Sequence, residues 1–125
     1  MVQLDYKSSV PIYEQIMEQV KLHVMRQHLR PGDAIPSVRK LALELKITPG
    51  TVAKAYQELE RQGVIETIRG KGTFIAQELV PREDEAKLSE IRKQLGSQIT
   101  ELRMMGYDKK QIVELVKQIY EEMGI

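Results

Sequence analysis

The residues of this chain that could do chemistry are few, and most are basic. Arg69, Gly70 and Lys71 set two positive charges around a glycine, Arg39 closes the run Pro36-Ser37-Val38-Arg39, and Thr48-Pro49-Gly50-Thr51 opens a segment that continues to Lys54 and Gln57. Phosphate is the partner these residue types suit. Arginine and lysine neutralise it, hydroxyls bond its oxygens, and small residues at the start of a helix let it approach the unpaired N–H groups of the first turn. His23 and His28 raise a metal reading. A separation of five does not place them on one helical face as i, i+4 spacing would, and no nearby Cys, Asp or Glu cluster completes a ligand set. The absence of cysteine excludes disulfides, thiolate sites and thiol nucleophiles. No phosphate loop ending in Lys-Ser/Thr, no G-x-S-x-G and no H-E-x-x-H is present, so neither an enzyme nor a cofactor is expected.

The elements that must position these groups follow from periodicity. Ile12, Ile16, Val20 and Val24 predict a helix from Pro11 to about His28, with Pro11 at its first position and Arg30-Pro31-Gly32-Asp33 turning the chain. Val38, Leu41, Ala42 and Leu45 predict a second helix capped by Ser37. Val52, Ala55, Tyr56 and Leu59 predict a third, with Thr48 as N-cap, Pro49 at N1 and Gly63 as the stop. Only Lys46 to Thr48 remain between the second and third, which makes a helix-turn-helix. The outward side of the third helix would carry Gly50, Thr51, Ala53, Lys54, Gln57, Glu58 and Arg61. Two strand-like runs, 64–68 and 73–76, then flank a loop of Arg69-Gly70-Lys71-Gly72, a hairpin in the position of a wing. Tyr13, Tyr56 and Phe74 fall on apolar stripes or strands and read as core.

A charged stretch containing Pro81 reads as a linker over 77–82, after a first domain of 1–76. In 83–125, Leu88, Ile91, Leu95, Ile99 and Leu102 predict one helix ended by Gly106. Asp108 with Gln111 predicts a capping box for a last helix bearing Ile112, Val113, Val116, Ile119, Tyr120 and Met123. Two such helices cannot cover their own apolar faces, so pairing with a second copy is expected. With so few residues, a drug-sized pocket would have to form at that interface. The net charge of +1 divides unevenly: 1–76 holds 11 Lys and Arg against 8 Asp and Glu, and 77–125 holds 8 against 10. That points to a basic working half. No run approaches the about 18 apolar residues of a membrane span, so a cytoplasmic protein without membrane contact is expected.

The stretch Ser8-Ser9-Val10-Pro11-Ile12-Tyr13-Glu14-Gln15-Ile16 and the run from Ile35 to Ala76 resemble the DNA-binding domain of the GntR family of bacterial transcription regulators. Pro36-Ser37-x-Arg39, Leu41-Ala42, Thr51-Val52, Ala55-Tyr56, Leu59, Gly63 and Gly70-x-Gly72-Thr73-Phe74 fall in register, and the two-helix tail is similar to that of the small YtrA subfamily. The resemblance implies a mostly α (α+β) fold, a winged helix-turn-helix with a helical dimerisation tail. It also implies DNA contacts by Arg39, Thr48, Gly50, Thr51, Arg69 and Gly70, with Ser37 and Lys71 beside them. Many members carry arginine where this chain has Pro49, and some where it has Ala53. Lys54 and Gln57 are assigned in their place from helix geometry.

The expected function is therefore a dimeric, sequence-specific DNA-binding regulator, a repressor on an inverted-repeat operator, with Leu88, Ile91, Leu95, Ile99, Leu102, Ile112, Val116, Ile119 and Tyr120 in the dimer interface. A small-molecule effector is allowed for, without an identity. The alternatives are a winged-helix protein-interaction module, which would dock through an apolar patch, and a non-specific DNA-coating protein, which would show salt dependence without sequence preference.

Overall fold

A computed structural model describes residues 1–125, which fall into two compact units, Met1–Val80 and Pro81–Ile125. The first unit orders its elements as α1 (Ile12–Met25), β1 (Ala34–Ile35), α2 (Val38–Leu45), α3 (Pro49–Arg61), β2 (Ile65–Ile68) and β3 (Gly72–Ile75). Its core gathers Ile16 and Val20 from α1, Leu41 and Ala42 from α2, Val52, Ala55, Tyr56 and Leu59 from α3, and Ile35, Ile65 and Ile75 from the strands. Each predicted apolar stripe thus supplies one wall of a single core. Tyr56 is buried as expected, whereas Tyr13 and Phe74 are half-buried.

Helix α1 is shorter than its periodicity suggests. Pro11, at φ −55° and ψ 147°, is the extended cap residue instead of the first helical one, and the helix stops at Met25 because Gln27 takes a left-handed φ of 62°. The buried polar residue Gln15 ties down the N-terminal segment. Its side chain donates to the carbonyls of Asp5 (3.0 Å) and Val10 (2.9 Å) and accepts the Asp5 N–H (2.9 Å), leaving none of its polar atoms orphaned.

The sheet runs in the order β1-β3-β2, antiparallel throughout. Strand β1 has no sequence signature, since two residues cannot display an alternation. Gly72 pairs with Ile68 across the hairpin, so the loop is the three residues Arg69-Gly70-Lys71 and not the four expected.

The second unit consists of α4 (Glu85–Met104) and α5 (Lys109–Met123). Asp108 and Gln111 form the reciprocal capping box at the start of α5. Of the apolar residues in this unit Ile112 is buried and Leu102, Leu115 and Met123 are half-buried. Leu88, Ile91, Leu95, Ile99, Val113, Val116, Ile119 and Tyr120 all remain exposed.

All five helices end in the same way. In α3, Gly63 N–H bonds the Glu60 carbonyl and Val64 N–H the Leu59 carbonyl, both at 2.9 Å, with Gly63 at φ 77°. This is the Schellman motif, and it recurs at Gln27, Lys46, Gly106 and Gly124. Glycine occupies the left-handed position three times, and Gln27 and Lys46 occupy it at a steric cost. Replacing Lys46→Gly is therefore expected to stabilise the chain by about 1 kcal/mol and Gly63→Ala to destabilise it by about 1 kcal/mol or more. Urea denaturation at constant m-value measures both.

Candidate nucleic-acid interface

Helices α2 and α3 meet through Lys46, Ile47 and Thr48, with Lys46 in the left-handed conformation that lets so short a turn close. Ser37 caps α2 with its hydroxyl, which accepts the Lys40 N–H at 3.1 Å. Arg39, at the second position of that helix, is exposed. Thr48 occupies the cap position of α3, but its hydroxyl does not cap. It lies 3.1 Å from the Thr51 hydroxyl, because the Thr51 N–H already bonds the Thr48 backbone carbonyl at 3.2 Å. The first turn of α3 therefore presents two hydroxyls on a surface with no backbone duty.

Gly50 is the informative residue of that turn. Its φ lies outside the left-handed region, and a Cβ built on it would meet no atom within 4 Å. Nothing inside the chain requires glycine there, and the space beside its Cα is open. Gly70 is a different case: φ 80° at the hairpin tip, where Lys71 N–H bonds the Ile68 carbonyl at 2.9 Å, demands glycine for the turn itself. Arg69 and Lys71 on either side are exposed.

Further along α3, Lys54 and Gln57 are exposed, while Thr51, Ala53 and Glu58 are half-buried on its flanks. The Lys54 ammonium lies 4.0 Å from the centroid of the Tyr13 ring, a contact that no periodicity in one sequence could reveal. Arg61 grips the Glu58 carboxylate through Nε and Nη2, at 3.2 and 2.9 Å, so the charges at the end of α3 are mutually satisfied. All ten residues assigned to phosphate or bases thus lie on one unit, at the α2 start, from the α3 cap to its third turn, and at the hairpin tip.

One separation argument fails. His23 and His28 do meet, with Nδ1 atoms 3.4 Å apart, because the Schellman bond from His28 N–H to the His23 carbonyl folds the chain back at the end of α1. His23 Nε2 lies 2.7 Å from the Met1 carbonyl. No group of three or more His, Cys, Asp or Glu suited to a metal surrounds them.

Two helices joined at a tight turn, with a basic hairpin after them, define the class: a winged helix-turn-helix DNA-binding protein. Residues 12–75 match the model of the bacterial regulatory proteins, gntR family, and the chain belongs to that family. It is 43% identical over 119 residues, 95% of this chain and 92% of the relative, to the HTH-type transcriptional repressor YtrA of Bacillus subtilis. That similarity spans both units and places the chain with the YtrA-like members. Among solved structures, a transcriptional antiterminator from Listeria monocytogenes superposes with a TM-score of 0.88 at 39% identity, over 100% of this chain and 93% of that one. The DNA-binding domain of AraR in complex with its operator ORX1 gives 0.54 at 26% identity, over 61% of this chain and 95% of that one. The family is one of DNA-binding transcription regulators and not of enzymes, and this chain is one of them. No helix is long and apolar enough to cross a membrane.

Tyr56 locks α3 to the segment before α2 by donating its hydroxyl to the Pro36 carbonyl at 2.7 Å. Burial, with a smaller contribution from Glu44, raises its pKa well above the ordinary value of about 10. Because the folded-state pKa is the higher one, the unfolded chain loses this proton first. Stability from Tyr56 should be complete below about pH 10 and fall as pH rises beyond it. Tyr56→Phe should flatten that alkaline loss while costing about 1 kcal/mol at neutral pH, as read by thermal unfolding across pH.

Proposed function

We propose that this chain is a cytoplasmic, sequence-specific repressor that binds an inverted-repeat operator as a homodimer. The observation that carries it is the first turn of α3, where Gly50 opens onto empty space between paired threonine hydroxyls, with Arg39 at the start of the preceding helix. A DNA backbone or base edge is what such an opening admits. Helix α3 enters the major groove with Thr48, Gly50, Thr51, Lys54 and Gln57 towards the DNA. Ser37 and Arg39 support it from α2, and Arg69, Gly70 and Lys71 reach the flanking backbone. The AraR domain solved with its operator and the repressor YtrA support this assignment by similarity.

In this reading 1–76 binds DNA, 77–82 links, and 83–125 dimerises. The exposed residues of α4 and α5 support the last role, since a face of this size is costly to leave in water and a second copy covers it symmetrically. Leu88, Ile91, Leu95 and Ile99 of α4 and Val116, Ile119 and Tyr120 of α5 would face the partner copy, whereas Leu102 and Ile112, beside the turn between the two helices, are already half-buried and buried within the single chain. Two-fold symmetry then sets half-sites about 34 Å apart, or a multiple of it. Repression follows by occluding the promoter, and an effector, if one acts, binds at the dimer interface.

Binding of the purified protein to its own upstream DNA, against a scrambled duplex across salt, tests the reading. The natural sequence should bind selectively, with affinity falling steeply as salt rises. Arg39→Ala should weaken it by about tenfold or more, and Arg69→Ala should lower the log–log salt slope by about 1. Equal weak binding to both duplexes would support the coating role, and salt-independent behaviour the protein-interaction role. Separately, Leu95→Glu should convert a dimer into a monomer in analytical ultracentrifugation without unfolding either unit, because Leu95 is 57% exposed in the single chain.

A further inference from the structure

Between Pro49 and Glu60, Lys54 is the only cation that α3 offers. It forms no ion pair. The carboxylate one turn further on, Glu58, is held by Arg61, and the Lys54 ammonium instead lies 4.0 Å from the Tyr13 ring centroid. Tyr13 is well placed to be a platform. It sits in the first turn of α1, is half-buried against the core, and donates its hydroxyl to Glu14 Oε1 at 3.2 Å, which makes the ring richer in electrons. A cation over a ring face is attracted by the ring quadrupole.

We infer that Tyr13 is a positioning residue for DNA binding, whose ring face seats the Lys54 ammonium on the exposed side of α3 ready for a DNA phosphate. The inference rests on the DNA-binding reading and deepens it. Lysine is among the residues that lose most rotamer freedom when fixed, so a lysine already held by a ring gives up less on binding. The ring occupies one side of the ammonium. Its three N–H groups leave donors for a phosphate oxygen on the other. Lys54 then supplies from one side chain part of what a basic first turn would supply from several.

The test uses the full chain and a duplex selected by the protein from a random-sequence library. Lys54→Ala should lower the salt slope by about 0.9, one phosphate's share. Tyr13→Leu should weaken binding by about three- to tenfold, within the range of a cation–π contact, and Tyr13→Phe, which keeps the ring, should stay within about twofold of the natural protein. The decisive arm is Tyr13→Leu in the Lys54→Ala background, where it should change nothing. An equal loss with and without Lys54, or binding as tight or tighter after Tyr13→Leu, would overturn the inference while leaving the DNA reading intact. In the free protein the Lys54 ε-methylene protons should show an upfield ring-current shift by NMR that Tyr13→Leu removes; no such shift would likewise overturn it. Failure of the natural chain to enrich or bind any duplex would sink the DNA reading, and the inference with it.

Discussion

One constraint governs the molecule: helix α3 has a single rotational setting. Val52, Ala55 and Leu59 are fully buried and Tyr56 nearly so. At about 1.5 to 3 kcal/mol for each large apolar side chain removed from water, no other face of the helix could compete for the core. The Tyr56 hydroxyl adds direction to this area term, since its bond to the Pro36 carbonyl tolerates little rotation. Once that stripe is inward, Gly50, Lys54 and Gln57 are outward by geometry alone. The surface proposed to meet DNA is therefore a by-product of packing, and its chemistry could vary without disturbing the fold.

The second organising device is the repeated helix ending. A left-handed residue followed by a bond back to the third-last helical carbonyl reverses the chain within two residues. At Lys46 it closes the turn between α2 and α3, at Gly63 it sends the chain into the hairpin, and at Gly106 it folds the tail. At Gln27 it brings His28 onto His23, which explains why counting residues along an ideal helix misjudged their separation.

Much of this was legible in the sequence, for physical reasons that differ by element. The helices announced themselves because their stripes repeat at the helical period and their caps use Ser37, Asp108 and glycine in their usual places. The wing was legible from two apolar runs around glycines, though not its register. Strand β1 was not, since its two residues are strand only because β3 lies beside them. Nor was the seat of Lys54 on Tyr13, which joins residues forty-one positions apart through the packing of α1 on α3. In the tail, one periodicity covered two jobs. Leu102 and Ile112 share the pattern of Leu95 and Val116, yet only the former pair, beside the turn at Gly106, is withdrawn from water within the chain, and spacing alone carries no label for which neighbour an apolar residue meets.

The sheet order has a consequence for how the chain acquires its shape. Strand β3 is central, yet it is the last strand of its unit to be made, and it bonds Gly32 and Asp33 on one side and the hairpin on the other. While a ribosome adds residues at about 5 to 20 per second, α1, α2 and α3 emerge before the strand that closes their core. The nascent unit must wait with Ile35 and Ile65 unpaired until their β3 partners, Thr73 and Ile75, appear. The strand side of the core therefore cannot close before residue 75 is made, and the basic hairpin is completed by the same strand that completes the core.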